Sequence, residues 1–337
     1  MNVINKIEIK KILVIRFKGL GDILLSVPAL RALKKSYPQA HVAVLVNKEA
    51  EAVVTGLKFI DEIILFEKNR HKGLMGILRL IAEIRKRHFD LVVDLISYPK
   101  SALLTYSSGA KYRVGTAARG RSYAYNIKVA GPKGIIYGPK VHLLAVKEAG
   151  AESSDETLEF HIPESEQAEI DKYLENNGIK NDEAIGLNPF TSFETRNWGI
   201  KNFAELADRL TETGKKVILL WGPGEPVEEF RRTVKGKVFI APPTDIKRMA
   251  ALLTRLKIVI TTNTFLKHAA TAVNTPVLTI YGATNPLAWE QEKAAGSGFV
   301  FAGVDCQPCE KNACTDLKCL KKITVQNVLD KLTEISK

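Results

Sequence analysis

The chain has 337 residues, 45% apolar and 26% charged, with 49 basic against 37 acidic side chains and a formal charge of +12. That length suits two domains of roughly 100–200 residues each; no apolar run reaches the ~18 residues of a membrane span, and the opening MNVINKIEIKK has neither the apolar core nor the cleavage site of a signal peptide, so the cytosol is the expected compartment. The positive excess suits an anionic partner (nucleic acid, an acidic membrane face or a phosphorylated substrate) as well as plain solubility, but Lys and Arg are spread along the chain without an RNA-binding signature, which sets nucleic acid aside.

In chain order, KILVIRF (11–17) is a buried strand run, and LLSVPALRALKKSYP (24–38) follows with helical spacing and a proline stop. HVAVLVN (41–47) predicts a second strand, EAVVTG a short helix, IDEIILF a third strand, GLMGILRLIAEIRKRHF (73–89) an amphipathic helix and DLVVDLI a fourth strand. Strands separated by helices imply a parallel, doubly wound sheet. Residues 161–183 are polar with one helical turn pattern and an NNG stop, and 163–183 is the expected domain linker. A second alternating set follows: AIGLNPF, NFAELADRLTETG, KKVILLWGPGE, KVFIAPP, DIKRMAALLTRL, IVITTN, FLKHAATAVN and PVLTIYGAT. The tail ITVQNVLDKLTEISK (323–337) predicts a final amphipathic helix. The expected fold is α/β, two Rossmann-like doubly wound domains facing a central cleft, with ligands beyond the carboxyl ends of the strands.

The stretch GLGDIL tests a dinucleotide site and fails it. Gly19 and Gly21 are present, but Leu24 stands at the third glycine, and the second strand ends at Asn47, with an acidic residue only at Glu49 beyond it. Asp22 would also compete with a phosphate for the positive end of the following helix. On residue chemistry alone Asp22 is either a helix N-cap or an ionised carboxylate ready to accept a proton from a hydroxyl.

Four stretches stand in order along the chain: ILVIRFKGLGDILLSVPALRALKKSYPQAHVAVLV, FDLVVDLISYPKSALLTYSSGAKYRVG, IGLNPFTSFETRNWGIKNFAELADRL and IVITTNTFLKHAATAVNTPVLTIYGATNP. Together they resemble glycosyltransferase family 9, the bacterial heptosyltransferases that use ADP-heptose to build the lipopolysaccharide core. The resemblance implies the GT-B arrangement and an inverting transfer that needs no metal. It implies an acceptor-binding domain over 1–162 and a nucleotide-sugar donor domain over 184–322. Asp22 matches the family's proposed catalytic base. Arg196, before Trp198, matches a lysine that contacts the donor phosphates; an arginine can do so with a bidentate fork. Thr191, Glu225, Asn263, Thr264, Phe265 and His268 fall at donor positions, and Lys18, Gly21, Lys100 and Ser101 at acceptor positions. Each has a plainer reading: Arg196 as a surface residue, His268 as a core or capping histidine, Lys100 as a solvated helix start, Glu225 as part of a turn. Lys267 is expected on the solvated surface.

Two departures stand out. Asn263, Thr264 and Phe265 replace the family's Asp-Thr-Gly, which removes a carboxylate acceptor for sugar hydroxyls and puts a ring where close approach is usual. Asn188 to Phe190 stand where a Pro-Gly pair is usual, so Phe190 and Phe265 are both expected to narrow the donor pocket. Alternatives are therefore a transferase using a different nucleotide sugar, and a binding-only relative. The cysteines, Cys306, Cys309, Cys314 and Cys319, are spaced C-x2-C-x4-C-x4-C. That spacing can surround a structural zinc, with disulfides or an iron–sulfur site as rivals. The resemblance further implies an acidic lipid-linked saccharide acceptor and peripheral attachment to the inner face of the inner membrane.

Overall fold

The computed structural model describes residues 4, 6–117, 120–292 and 294–336. The chain divides into two compact units, Met1–His161 and Ile162–Lys337.

The first unit alternates strand and helix in the order β1 (Lys11–Ile15), α1 (Leu20–Leu24), α2 (Val27–Ser36), β2 (His41–Asn47), α3 (Glu51–Val54), β3 (Glu62–Phe66), α4 (Gly73–Arg85), β4 (Leu91–Asp94), α5 (Pro99–Ser107), β5 (Tyr112–Thr116), β6 (Ile127–Val129) and α6 (Gly138–Glu148). Among the described residues its strands form one parallel sheet ordered β3-β2-β1-β4-β5-β6. The central strands are apolar on both faces because helices cover both. Leu13, Ile15, Leu45, Ile64, Leu80 and Ile84 share one core layer. Proline starts α2 and α5, where its missing N–H leaves no bond unmade.

The second unit contains α7 (Glu164–Asn176), β7 (Ala184–Asn188), α8 (Ile200–Glu212), β8 (Lys216–Leu219), α9 (Val227–Thr233), β9 (Val238–Ile240), α10 (Ile246–Leu253), β10 (Ile258–Thr262), α11 (Phe265–Ala272), β11 (Val277–Tyr281), α12 (Pro286–Trp289), β12 (Gly298–Phe301), α13 (Lys318–Lys321) and α14 (Val325–Ile335). Its parallel sheet is ordered β12-β11-β10-β7-β8-β9. Counted from each unit's first strand, both orders are 3-2-1-4-5-6. Each sheet therefore reverses direction between its first and fourth strands, β1/β4 and β7/β10, and the chain opens a crevice there. Helix α8 buries Phe203, Leu206, Ala207 and Leu210 at helical spacing against this sheet; α14 begins with a reciprocal Thr324–Asn327 capping box.

Residues 163–183, expected as a linker, are built into the second unit. Helix α7 buries Ile170 and Leu174, and its Glu166 and Asp171 pair with Arg248 and Arg255 at 2.9 and 2.7 Å. Tyr173 donates to the Ile240 carbonyl at 2.9 Å. The polar sequence reflects a helix exposed on most of its surface. Strands β5, β6 and β12 escape the sequence reading because they are short and only partly apolar.

Candidate active site

In the first unit, the loops after β1 and β4 meet at the direction reversal. Asp22 is the third residue of the short helix α1, whose N-cap is Gly19, and it makes no capping bond. The N-cap reading of Asp22 is therefore corrected. Arg16, at the end of β1, donates from Nη2 to Asp22 Oδ1 at 2.9 Å and from Nε to the Asp22 carbonyl at 3.2 Å. Such a charge-assisted bond contributes about 1.5–3 kcal/mol, against about 0.3–1 kcal/mol for a helix end, so Arg16 rather than the helix orients the carboxylate. Burial lowers the Arg16 pKa, and the charges of Asp22 and Asp94 oppose that. A Cβ at Gly19 would lie 3.2 Å from Asp22 Oδ2, so glycine there keeps space in front of the second carboxylate oxygen.

Asp94, at the end of β4, is buried and accepts from Ser97 N and Tyr125 Oη, both at 2.8 Å. Burial raises its pKa, and these hydrogen bonds oppose the rise. Its role is to fix the loop that carries Tyr98. Gly115 allows this: a Cβ there would fall 2.4 Å from the Tyr125 ring.

Beside these loops a cavity of about 450 Å³ is lined by Phe17, Phe66, Ile96 and Tyr98 together with Lys18, Lys68, Lys100 and Asn47. Lys18 donates to Tyr98 Oη at 2.6 Å, and Lys100 Nζ lies 4.3 Å from the centre of the Phe66 ring. Lys18 has φ of 91°, in a region that disfavours side chains. Asn47 holds it there with bonds to its N–H and carbonyl, both 3.0 Å. Two ammonium groups on aromatic rings, Lys18 on Tyr98 and Lys100 on Phe66, suit an anionic group carried by a sugar. Ser101 does not join them. It is fully buried and caps α5 through the Tyr98 backbone.

In the second unit, Asn188 ties the strand ends together, accepting from Thr261 Oγ1 and donating to the Leu220 carbonyl, both at 3.1 Å. Arg196, in a single 3-10 turn after β7, donates to the Asn263 carbonyl at 3.2 Å and lies 4.4 Å from the Phe193 ring centre. Gly282 lets this turn pack closely, since a Cβ there would come 2.0 Å from the Thr195 carbonyl oxygen. Thr264 is the N-cap of α11 without a side-chain capping bond, so the helix start presents its amide groups outward. His268 sits one turn in, buried, its ring 5.8 Å from that of Trp289. Burial first, then the charges of Lys267 and Arg196, hold its pKa well below the usual imidazole range. Among the described residues His268 Nδ1 and Trp289 Nε1 are buried without a hydrogen-bond partner. An unmade bond of this kind costs about 1–3 kcal/mol, which argues for a ligand here.

Several expectations change. Lys267 is not on the surface; it is buried, bonded to the Trp289 carbonyl and 3.4 Å from Glu290, which also accepts from Tyr281 Oη at 2.8 Å. Phe190 belongs to the hydrophobic core, leaving only Phe265, partly exposed, to narrow a donor pocket. Asn263 faces inward and donates to Thr284 Oγ1 at 3.2 Å. Glu225 closes its own turn, accepting from Gly222 N at 2.6 Å, and burial raises its pKa. Thr191 accepts from Phe193 N at 3.3 Å. The zinc expectation is not supported: among the described residues no cluster of three or more metal-binding side chains forms. Cys306 is exposed, Cys319 is buried on α13, and Cys314 accepts from Leu317 N at 3.5 Å. The sequence signal missed Arg16 and Asp94; a charged residue ending an apolar strand run was the available clue to both.

The family model of glycosyltransferase family 9 (heptosyltransferase) matches residues 77–320. Lipopolysaccharide core heptosyltransferase OpsX of Haemophilus influenzae is 21% identical, over 82% of this chain and 80% of its own. The crystal structure of a family 9 glycosyl transferase from Veillonella parvula matches with TM-score 0.83 at 20% identity, covering 97% of both chains. The E. coli heptosyltransferase WaaC, solved with ADP-2-deoxy-2-fluoro heptose, matches with TM-score 0.72 at 20% identity, covering 96% of this chain and 99% of that one. The two-sheet GT-B fold expected from the sequence is the fold of these neighbours.

Proposed function

The chain belongs to glycosyltransferase family 9, and from that premise we propose that it transfers a sugar, heptose from ADP-heptose in the first instance, onto an acidic lipid-linked saccharide of the lipopolysaccharide-core type, with inversion. The observation that carries the reading is a contrast between two like sheets. The loop after the first strand leads to a carboxylate, Asp22, in one unit and to a guanidinium, Arg196, in the other.

On this reading Asp22 takes the proton of the acceptor hydroxyl as its oxygen bonds to the anomeric carbon of the donor sugar. The bond from that carbon to phosphate breaks, and the nucleoside diphosphate leaves with the electron pair. Arg196 and the outward amides of α11 stabilise the departing charge, and His268 Nδ1 and Trp289 Nε1 offer partners to the nucleotide sugar. Lys18 and Lys100 receive the anionic group of the acceptor. No metal is needed in this scheme, because the cation and the helix start carry the leaving-group charge. Transfer takes place at the inner face of the inner membrane.

A second donor sugar is favoured by one observation: Asn263 is turned onto Thr284, so the family's sugar-binding carboxylate has no substitute at that position. Purified protein incubated with ADP-heptose, other nucleotide sugars and a lipopolysaccharide-core acceptor tests both readings. The expected result is a glycosylated acceptor and free nucleoside diphosphate. In Asp22→Asn, turnover should fall roughly 10²–10⁴-fold with donor affinity kept. Near-normal turnover in that variant would remove Asp22 from the mechanism.

A further inference from the structure

The first unit exposes an apolar surface that its core does not use. On α4, Leu74 and Met75 are 75% and 74% exposed and Leu78 48%, while Gly76, Leu80 and Ile84 face inward. On α5, Leu103 and Tyr106 are exposed one turn apart, and Tyr106 meets Tyr123, also exposed, edge-on at 5.5 Å. The two helices lie alongside each other. Their N-terminal ends both reach Phe66, through His71 stacked at 5.5 Å and Lys100 at 4.3 Å. Near their C-terminal ends Arg85 donates to the Ser107 carbonyl at 3.3 Å. The exposed side chains therefore belong to one surface.

Cations border it. Among the described residues no carboxylate pairs with Lys72, Arg79, Lys86 or Lys100, whereas the nearby Glu49, Glu67 and Glu83 are engaged by Lys68 and Arg70. Leu, Met and Tyr side chains ringed by Lys and Arg match the boundary of an anionic bilayer, where the apolar groups enter the headgroup layer and the cations meet lipid phosphates. A second copy of the chain would bring the same basic ring and a formal charge of +12 against it, which argues against self-association. We propose that the α4–α5 face docks the first unit on an anionic lipid surface. Phe66 lines the cavity beside these helix ends, so docking brings that cavity to the headgroup level. The purpose of docking rests on the lipid-linked acceptor proposed above; the docking itself does not.

Sedimentation of the full chain with vesicles of mixed phosphatidylcholine and phosphatidylglycerol, and of phosphatidylcholine alone, tests this. Binding to the mixed vesicles should be at least about tenfold tighter and should weaken as salt rises. The triple variant Leu74→Ser/Met75→Ser/Leu78→Ser, altered only at exposed sites, should lose at least about tenfold in vesicle affinity. It should keep its transfer rate on a water-soluble acceptor fragment. Lys72→Glu/Arg79→Glu should lose binding to the mixed vesicles alone. Equal binding to both vesicle types, unchanged binding by the triple variant, or a dimer that the triple variant abolishes would overturn the proposal. A chain that transfers sugar but does not dock refutes the docking and leaves the function; one that docks but transfers nothing does the reverse.

Discussion

Asp22 and Lys18 sit four residues apart and are held by unlike means. Asp22 is oriented by an ion pair with a residue on the preceding strand; Lys18 is held in a left-handed conformation by the Asn47 amide. A non-glycine residue in such a conformation costs about 1–3 kcal/mol. Lys18→Gly should therefore stabilise the chain by about 1 kcal/mol in urea unfolding, while acceptor KM rises as the cation is lost. A stability gain with unchanged KM would remove Lys18 from the acceptor site. Lys267 makes the opposite kind of case. Removing it leaves Glu290 with Tyr281 alone in a poorly hydrated site. Lys267→Met should cost about 3 kcal/mol, and Lys267→Met/Glu290→Gln should recover most of it, since an unpaired buried charge is worse than none. Asp22 and Arg196 stand out in the sequence because they sit in local motifs. The Lys267–Glu290 pair joins residues 23 positions apart, and nothing in the FLKHAA stretch alone distinguishes a buried lysine from a solvated one.

At the scale of elements, the alternating apolar runs pointed to parallel, doubly wound sheets, because each central strand is covered on both faces and reads as an unbroken apolar run; their strand order comes from the structure alone. The short strands β5, β6 and β12 lack that signal and exist through their pairing with neighbours. The cysteine spacing is not matched by a metal-holding group among the described residues, and burial on α13 places Cys319 in the core. The glycine in YGAT carries a sharper expectation. Gly282→Ala would force β-carbon against the Thr195 carbonyl, a backbone atom that cannot step aside cheaply. The turn holding Arg196 must then shift. Donor affinity should drop at least about tenfold while acceptor KM stays constant, measurable by calorimetry with ADP. Unchanged ADP affinity would show that Arg196 does not depend on this contact.

The whole molecule has two separately cored units; the first buries His71 and His142 and the second buries His268. His142 in the first and His268 in the second both have pKa values held well below the ordinary 6.5 by burial, aided by Arg16 for His142 and by Lys267 and Arg196 for His268. Above pH 6.5 both are neutral whether folded or unfolded. Below it the unfolded chain binds protons that the folded chain refuses, so stability falls as the pH drops. Urea midpoints should decline from about pH 6.5 downward, and His268→Asn should flatten that slope. A nucleotide bound to one unit alone should also stabilise that unit alone. At a hundredfold excess over Kd the gain is about 2.7 kcal/mol. Hydrogen exchange with ADP should show slower opening across residues 184–322 and little change in β1 to β6. Equal protection in both units would contradict the assignment of the donor to the second.

Trp289 rests against His268, and the remaining indoles, Trp198 and Trp221, belong to the same unit. The first unit is thus dark under selective tryptophan excitation, and the chain comes with a built-in optical reporter for one half. Emission that changes when nucleotide is added, and stays level when acceptor is added alone, would let the two substrates be followed separately without attaching any label.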